Sequence, residues 1–243
     1  MKIENSVILI TGAATRVGKE IALYFASKGA HIAFSYYEDH EPWQETKQEI
    51  EALGVNCFVK KVEIRDREEI NTFVKETKES LGRIDVLINN ASVWLRTPFL
   101  KISEEEWDLA VDVNLKGPFL CSQAVAPIMI EQEQGVIINI TDLSAFQVWN
   151  DNAHHAASKA GLVALTKAMA YELAPNIRVN AIAPGTVLLP PDPSPAKVEW
   201  AIENSLLKRV GSPQDVAKLM EFLIENDFAT GAVYFIDGGR NLV

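Results

Sequence analysis

The stretch Thr11-Gly12-Ala13-Ala14-Thr15-Arg16-Val17-Gly18 joins the apolar run Val7–Ile10 to a helical pattern that begins at Lys19. Glycines in a strand-to-helix turn let the backbone approach a pyrophosphate, and the helix N-terminus offers unpaired N–H groups and a positive dipole end. Two glycines in such a turn are also compatible with a tight connection and nothing more. The rest of the chain has to decide between these interpretations.

Short β-branched runs alternate with longer helical patterns along the chain, which predicts a parallel sheet covered by helices on both faces. We expect strands at Val7–Ile10, His31–Tyr36, Asn56–Val62, Val86–Asn89, Val136–Thr141, Arg178–Ala183 and Ala232–Ile236. We expect helices at Lys19–Lys28, Trp43–Leu53, Glu68–Leu81, Glu104–Ile130 and His154–Leu173. Most strand runs are continuously apolar, as in strands buried on both faces. The prediction is a single doubly wound α/β domain over residues 1–243.

Five prolines lie between Pro184 and Pro195, directly after the sixth expected strand. Such a segment cannot form a regular helix or a central strand. Ligands of doubly wound sheets bind outside the carboxyl ends of the strands. We therefore expect a loop here that contacts a substrate, extending over about residues 184–212.

Composition excludes several classes of function. The chain has 243 residues, 48% of them hydrophobic, and a formal charge of −10, which argues against binding to nucleic acid. Cys57 and Cys121 are isolated within apolar stretches, which suits a reducing cytosol. No apolar run approaches the length of a membrane span or a signal peptide, and no His/Cys cluster suggests a metal site. We expect a cytoplasmic protein with a small-molecule partner, and neither nucleic acid nor membrane.

Further motifs follow the glycine turn in a fixed order. They are Asn89-Asn90-Ala91-Ser92, Asn114, Thr141-Asp142, Ser158-Lys159-Ala160-Gly161, Pro184-Gly185 and Asp237-Gly238-Gly239. Over essentially the whole chain, this set resembles the short-chain dehydrogenase/reductase family. The resemblance implies a Rossmann-like sheet of seven strands in the order 3-2-1-4-5-6-7 and an NAD(P)H-dependent oxidoreductase. It also implies a homotetramer, paired through the two long helices and through the last strand with its helix.

Within the family the chain is similar to the pteridine reductases in three features. Arg16 replaces the middle glycine of the TGxxxGxG turn, Ser92 replaces a glycine ahead of the aromatic Trp94, and Asp142 replaces the catalytic serine. The resemblance implies a pterin-like substrate in contact with Ser92 and Trp94, and we expect Trp149 at the pocket rim. One alternative is a ketone reductase like the 3-oxoacyl-acyl-carrier-protein reductases. Another is a catalytically degenerate protein that only binds a dinucleotide.

The resemblance also implies which residues contact the cofactor. The phosphates would be lined by Gly12, Thr15, Arg16, Val17 and Gly18, the adenine by Glu63 and Ile64, the adenosine ribose by Asn90 and Ala91, and the nicotinamide by Pro184 and Gly185. Lys159 would hold the nicotinamide ribose.

The identity of the dinucleotide depends on the end of the second strand. Tyr36 stands where NAD-dependent members carry an aspartate, and Arg16 could reach a 2′-phosphate, so NADP is preferred to NAD. The acidic pair Glu38 and Asp39 opposes that preference, because like charges repel the phosphate.

One residue departs from the family pattern. The family's Tyr-x-x-x-Lys sequence has His155 in place of its tyrosine, and Asp142 precedes it by the usual 13 positions. His155 marks either a degenerate site or a proton donor with Asp142 as its partner. Proton transfer would be direct or through water. A water would bridge the gap that arises because a His ring nitrogen ends about 1.5–2 Å short of a Tyr hydroxyl. By resemblance Asn114 would kink its helix and hold a water in the proton relay. His154 is expected to be an exposed neighbour.

Overall fold

The computed structural model describes residues 1–243 and contains one parallel sheet of seven strands. The strands are β1 (Val7–Ile10), β2 (His31–Tyr36), β3 (Cys57–Lys61), β4 (Val86–Asn89), β5 (Gly135–Ile140), β6 (Ile177–Pro184) and β7 (Val233–Ile236). Their order is β3-β2-β1-β4-β5-β6-β7, which confirms the predicted topology. The order reverses at β1, and a doubly wound sheet opens its ligand crevice at that point.

Helices cover both faces of the sheet. They are α1 (Arg16–Ser27), α2 (Trp43–Glu51), α3 (Arg67–Leu81), α4 (Glu104–Val111), α5 (Gly117–Glu131), α6 (Ala153–Leu173), α7 (Pro195–Glu203) and α8 (Pro213–Glu225). Single 3₁₀ turns lie at Phe99–Lys101, Leu143–Ala145 and Arg240–Leu242. No helix is both long enough and apolar enough to span a membrane.

Alternate residues of each strand supply the two cores. Ile8 and Ile10 of β1 face the core formed with α1 and α8, whereas Leu9 faces the core formed with α3 and α5. All three side chains are fully buried. Because both faces are covered, the strands have to be apolar at every position, which is the pattern found in the sequence.

Two helices were not predicted, α7 and α8. Each begins with a capping serine followed by proline, Ser194-Pro195 and Ser212-Pro213, and both serine side chains accept a hydrogen bond from the first helical turn. This Ser-Pro pair is a helix start signal. Helix α7 lies inside the expected substrate loop, so that loop carries a helix over its central part.

The predicted helix Glu104–Ile130 is continuous but not uniform. A π-helical turn at Asp112–Lys116 separates α4 from α5. Such a turn inserts an extra residue and displaces the side chains that follow. Asn114 lies within it, in agreement with the expected kink.

Candidate active site

The glycine turn is braced from the neighbouring strand end. Asn90 Nδ2 donates to the carbonyl oxygens of Thr11 and Gly12 at 2.9 and 2.8 Å. The Thr11 hydroxyl oxygen accepts from the backbone N–H groups of Asn90 and Ala91, both at 3.0 Å. The side chain of Asn90 thereby holds the turn after β1 in place through two hydrogen bonds.

The start of α1 fits a bound phosphate. Thr15 occupies the N-cap without a side-chain hydrogen bond to the helix, and the first turn contains no acidic residue. A Cβ atom built on Gly18 would lie 2.8 Å from Ala13 Cα and 2.7 Å from Asn90 Nδ2, so only glycine allows this close packing. Open N–H groups at a helix N-terminus attract anions. The turn is therefore suited to hold the pyrophosphate of a dinucleotide.

A cavity of about 390 Å³ opens beside this turn. It is lined by the predicted cofactor residues Gly12, Thr15, Arg16, Val17, Gly18, Tyr36, Glu63, Ile64, Asn90 and Ala91, and by the predicted substrate residue Ser92. Its lining does not include Lys159, Pro184 or Gly185. Lys159 lies instead near the pair Asp142–His155 that is described below. Gly185 packs against β7, since a Cβ atom there would lie 2.8 Å from Asp237 Cα.

The end of β2 carries a feature that was not predicted. Oε1 of Glu41 accepts from the backbone N–H groups of Tyr37 and Glu38 at 2.9 and 2.8 Å. These two amides follow Tyr36, and Tyr37 and Glu41 both line the cavity. Two adjacent N–H groups that point the same way form an anion-binding concavity, and a carboxylate of the protein occupies this one. A glutamate a few residues after a strand end is too common a feature to have signalled it.

Arg16 lies across the same cavity with φ +54°. This left-handed conformation is strained for a residue with a Cβ atom, and the family has glycine at this position. Arg16 therefore places a cation in the cavity lining at the cost of backbone strain.

Asp142 and His155 form a close pair. Nε2 of His155 lies 2.6 Å from Oδ2 of Asp142. The other carboxylate oxygen, Oδ1, accepts from the backbone N–H of Ser144 at 2.7 Å and from the Ser144 hydroxyl. Asp142 therefore caps the 3₁₀ turn at Leu143–Ala145 with one oxygen and contacts the imidazole with the other.

The environment keeps Asp142 ionised. Burial raises its pKa, but the hydrogen bond from His155 and the charges of His155 and Lys159 outweigh that effect, so the pKa lies below its usual value. Burial also lowers the pKa of Lys159 to about 8, with the charge of Asp142 opposing the decrease. Lys159 Nζ donates to the carbonyl oxygen of Ile140 at 2.9 Å. An acid with a pKa near neutrality thus lies near a carboxylate.

Asn114 connects the pair to Ser92, which lines the cavity. Its Nδ2 lies 3.2 Å from His155 Nδ1 and donates to the carbonyl oxygen of Val93 and to Ser158 Oγ, both at 3.1 Å. Its Oδ1 accepts from the Ser92 hydroxyl and from the Val93 N–H, both at 2.9 Å. The π-helical turn brings this fully buried amide to the site.

His155 has a partner for each protonation state. The carbonyl oxygen of Val93 lies 3.1 Å from Nδ1, so a protonated Nδ1 can donate to it. A neutral imidazole can instead accept from Asn114 at the same nitrogen. A group that keeps its hydrogen bonds in both states is suited to proton transfer.

Neither ring nitrogen of His155 faces the cleft. The residue is 1% exposed, and the ring of Trp94 lies edge-on at a centroid distance of 4.4 Å. The side chain of Asp142 is 18% exposed, so it is the more accessible member of the pair. Direct protonation by His155, one of the two expected routes, has no open path in this arrangement.

The expectation for His154 was wrong. His154 is fully buried, and neither ring nitrogen has a hydrogen-bond partner. Burial lowers its pKa. The prediction assumed that a residue turned about 100° from His155 around α6 would face solvent, but α4 packs against this end of α6.

Aromatic side chains border the site on the substrate side. Trp94 lies 5.8 Å from Trp149 between ring centroids, so the two tryptophans expected to contact the substrate are neighbours. Arg240, near the C-terminal end, lies against Trp149 and against Trp200 of α7. Neither Arg240 nor Trp200 was predicted. An arginine directly after Asp237-Gly238-Gly239, at the end of the last strand, was the available signal.

Comparisons with known proteins find relatives over nearly the whole chain. Residues 12–241 match the family model described as enoyl-(acyl carrier protein) reductase. The chain is 38% identical to the FabG 3-oxoacyl-[acyl-carrier-protein] reductase of Thermotoga maritima, with 98% of this chain and 99% of that protein covered. It is 38% identical to subunit BbsD of (2S)-[(R)-hydroxy(phenyl)methyl]succinyl-CoA dehydrogenase of Thauera aromatica, with 100% and 99% covered.

A solved structure adds a cofactor to the comparison. A 7α-hydroxysteroid dehydrogenase complexed with NADH and a 7-oxo bile acid superposes with a TM-score of 0.92 at 31% identity, covering 98% of this chain and 95% of that one. None of these three relatives is a pteridine reductase, so the expected branch finds no support in them. The fold, the order of motifs and the relatives together place this chain in the short-chain dehydrogenase/reductase family.

Proposed function

We propose that this protein is an NAD(P)H-dependent reductase of a C=O or C=N bond in which the pair Asp142–His155 supplies the proton. The observation that carries the proposal is the 2.6 Å contact between His155 Nε2 and Asp142 Oδ2, at the positions of the family's serine and tyrosine. A dinucleotide bound in the cavity would supply the hydride. The chain's own residues then have to deliver one proton to the atom opposite the hydride acceptor.

The proton would leave the imidazolium at Nε2 and reach the substrate through Asp142 Oδ2 or a water beside it. As Nε2 gives up its proton, Nδ1 keeps its own proton and continues to donate to the Val93 carbonyl oxygen at 3.1 Å. Lys159 holds positive charge close to the pair. Trp94 covers the imidazole and keeps bulk water away from it.

Two substrate classes compete for this site. A flat, pterin-like heterocycle suits the exposed ring of Trp94 and offers a basic ring nitrogen, which needs a weaker acid than a ketone does. Two of the three named relatives instead favour a 3-oxoacyl or related thioester, since their names state acyl carrier protein or CoA derivatives. The pterin-like class is the one that the replaced catalytic tyrosine supports, and the thioester class is the second candidate.

Two residues beside the cavity favour different dinucleotides. Arg16 supports NADP, the dinucleotide preferred from the sequence, whereas Glu41 supports NAD because its carboxylate occupies the two amides after Tyr36. The charge of Glu63 is compensated by Arg65, whose Nη2 lies 2.5 Å from Oε2. The preference for NADP or NAD therefore depends on which of the two effects, that of Arg16 or that of Glu41, is larger.

We further propose a homotetramer. Apolar side chains remain exposed on the helices expected to pair, among them Phe119 and Ile130 of α5 and Tyr171 of α6. Phe222 of α8 and Phe235 of β7 are exposed at the second expected interface. Mass photometry at micromolar concentration tests this state directly, and a monomer would contradict it.

The deciding experiment is steady-state turnover of His155→Phe with NADPH and NADH against dihydropterins, folates and 3-oxoacyl thioesters. We expect kcat to fall by about 100-fold or more on the substrate that the wild type reduces, because general acid catalysis contributes on that scale. Cofactor affinity, measured by nicotinamide fluorescence, should not change. Undiminished turnover would remove the acid role. Cofactor binding by the wild type without turnover of any substrate would support the degenerate alternative.

A further inference from the structure

Arg240 is a guanidinium held by aromatic rings on the substrate side of the site. Its Cζ lies 4.9 Å from the ring centroid of Trp149 and 4.6 Å from that of Trp200. Its Nη1 donates to Thr186 Oγ1 at 3.1 Å. These partners lie before α6, within α7 and directly after β6. Arg240 therefore contacts three of the segments that border the cleft.

The guanidinium has no acidic partner. Asp237 and Asp142 are the acids whose charges act on Arg240, but neither carboxylate lies within the 4.0 Å that defines an ion pair. Asp237 is engaged elsewhere, accepting from the backbone N–H groups of Gly239 and Asn241 at 2.9 and 2.7 Å. Guanidinium carries five N–H donors, of which Thr186 uses one. A half-buried cation with free donors is the usual form of an anion-binding arginine.

Stacking prepares this arginine for a planar anion. Contacts with two indole rings restrict the plane of the guanidinium while its edge donors stay free, so less entropy is lost when a carboxylate or phosphate binds. Arg240 also lines a cavity of about 70 Å³ together with Thr186 and a second arginine, Arg209. Two carboxylates share this lining, but Asp215 is paired with Arg209 and Asp237 accepts from backbone N–H groups. Small oxyanion groups therefore have room beside it.

The arginine lies on the same wall as the reacting centre. From His155 the wall passes to Trp94 at 4.4 Å and to Trp149 at 5.8 Å between centroids, and then to Arg240. We propose that Arg240 binds an anionic oxygen group of the substrate, a carboxylate or a phosphate, and so makes the enzyme selective for anionic substrates. This inference rests on the proposed function, because it assumes that the reaction takes place beside Asp142.

Paired substrates provide the test. Methyl-ketone carboxylates with zero to four methylene spacers are each compared with their methyl esters, and acetoacetyl-CoA is compared with acetoacetyl-N-acetylcysteamine. The first set probes a carboxylate and the second the phosphates of CoA. For Arg240→Gln we expect kcat/KM on the preferred anionic member to fall about tenfold to hundredfold, the effect of losing a charge-assisted hydrogen bond. The neutral partner should change less than about threefold, which also shows that the variant folds.

A matched control separates binding from overall charge. Lys208→Gln removes a positive charge after α7, where Lys208 Nζ contacts Glu203 at 3.0 Å, and should alter both members of each pair equally. Quenching of tryptophan fluorescence by the same ligands gives a readout that needs no turnover. Discrimination in binding that Arg240→Gln abolishes supports the inference even if no ketone is reduced. Turnover by the wild type with equal preference for every anionic and neutral pair overturns it and leaves the proposed function intact.

Discussion

His155 and Asp142 are 13 positions apart and belong to different elements, yet His155 Nε2 lies 2.6 Å from Asp142 Oδ2. Asp142 ends the segment after β5, and His155 lies in the first turn of α6. A serine and a tyrosine would place two hydroxyl groups here. This chain instead places a carboxylate against an imidazole, so both acid strength and reach differ from the family pattern.

Asp142→Asn should reduce turnover without weakening cofactor binding. The amide can still accept a hydrogen bond from Nε2, but it removes the charge that stabilises an imidazolium. We expect kcat to decrease by about 100-fold or more, measured by steady-state kinetics. Ser144→Ala is the matched control, because it deletes one hydrogen bond to the same carboxylate and leaves the contact with His155 in place. Equal effects of the two variants would contradict the role assigned to the pair.

Lys159→Met should stabilise the fold while impairing activity. Burial lowers the pKa of Lys159 from 10.5 to about 8, a difference equivalent to about 3 kcal/mol at neutral pH. Because the unfolded chain binds this proton more tightly, the charged lysine costs stability below pH 8, and the cost disappears as pH rises towards 10.5. The gain in the free energy of unfolding should therefore be larger at pH 7 than at pH 10, and loss of attraction to Asp142 reduces it.

Urea denaturation at the two pH values measures this difference. Lys167→Met, on the exposed face of the same helix, should change the free energy of unfolding by less than about 0.5 kcal/mol at either pH. A destabilised Lys159→Met variant at pH 7 would show that the ammonium is better compensated than its burial indicates.

The fold could be predicted almost completely from the sequence, because continuous apolar strands and glycine turns are local signals. The helices α7 and α8 were missed although Ser194 and Ser212 cap them, since the proline-rich composition before α7 outweighed a two-residue start signal. Motif order also brought together most of the expected cofactor residues around one cavity, although Lys159, Pro184 and Gly185 lie outside its lining. By contrast, the burial of His154 and the stacking of Arg240 depend on how distant segments pack, and no local pattern encodes that packing.

The cofactor preference should respond in opposite directions to two substitutions. Arg16→Gly removes the cation facing a 2′-phosphate, and we expect the affinity for NADPH relative to NADH to fall about tenfold. Its effect on the free energy of unfolding should be below about 1 kcal/mol, because relief of the left-handed strain offsets the added freedom of the unfolded chain. Glu41→Ala should raise the relative affinity for NADPH, because the two amides after Tyr36 lose the side chain that occupies them.

Fluorescence titration of both dinucleotides gives the two ratios. Glu38→Gln is the control for charge alone, since its backbone N–H donates to Glu41 but its carboxylate makes no such contact. If Glu38→Gln shifts the ratio as far as Glu41→Ala, the carboxylate of Glu41 acts through its charge and not by occupying the amides.

Restoring the family pair provides the sharpest separation of the two substrate classes. In His155→Tyr the phenol would lie beside the carboxylate of Asp142, which raises the pKa of a phenol and makes it a poorer proton donor. Its hydroxyl would also extend about 1.5–2 Å beyond the ring nitrogens, towards Trp94. We therefore expect the single variant to be less active than the wild type on every substrate.

The double variant Asp142→Ser/His155→Tyr removes that repulsion and recreates two hydroxyl groups above Lys159. If the native pair is adapted to a basic ring nitrogen, kcat/KM for a dihydropterin should fall at least tenfold, whereas kcat/KM for a 3-oxoacyl thioester should rise, because a ketone needs the phenol that the native chain lacks. Parallel assays of the two substrates with the wild type, the single variant and the double variant measure these opposite changes in kcat/KM. A single variant as active as the double one would show that Asp142 does not act on position 155. A double variant that loses thioester reduction present in the wild type would show that the pair Asp142–His155 itself serves ketone chemistry.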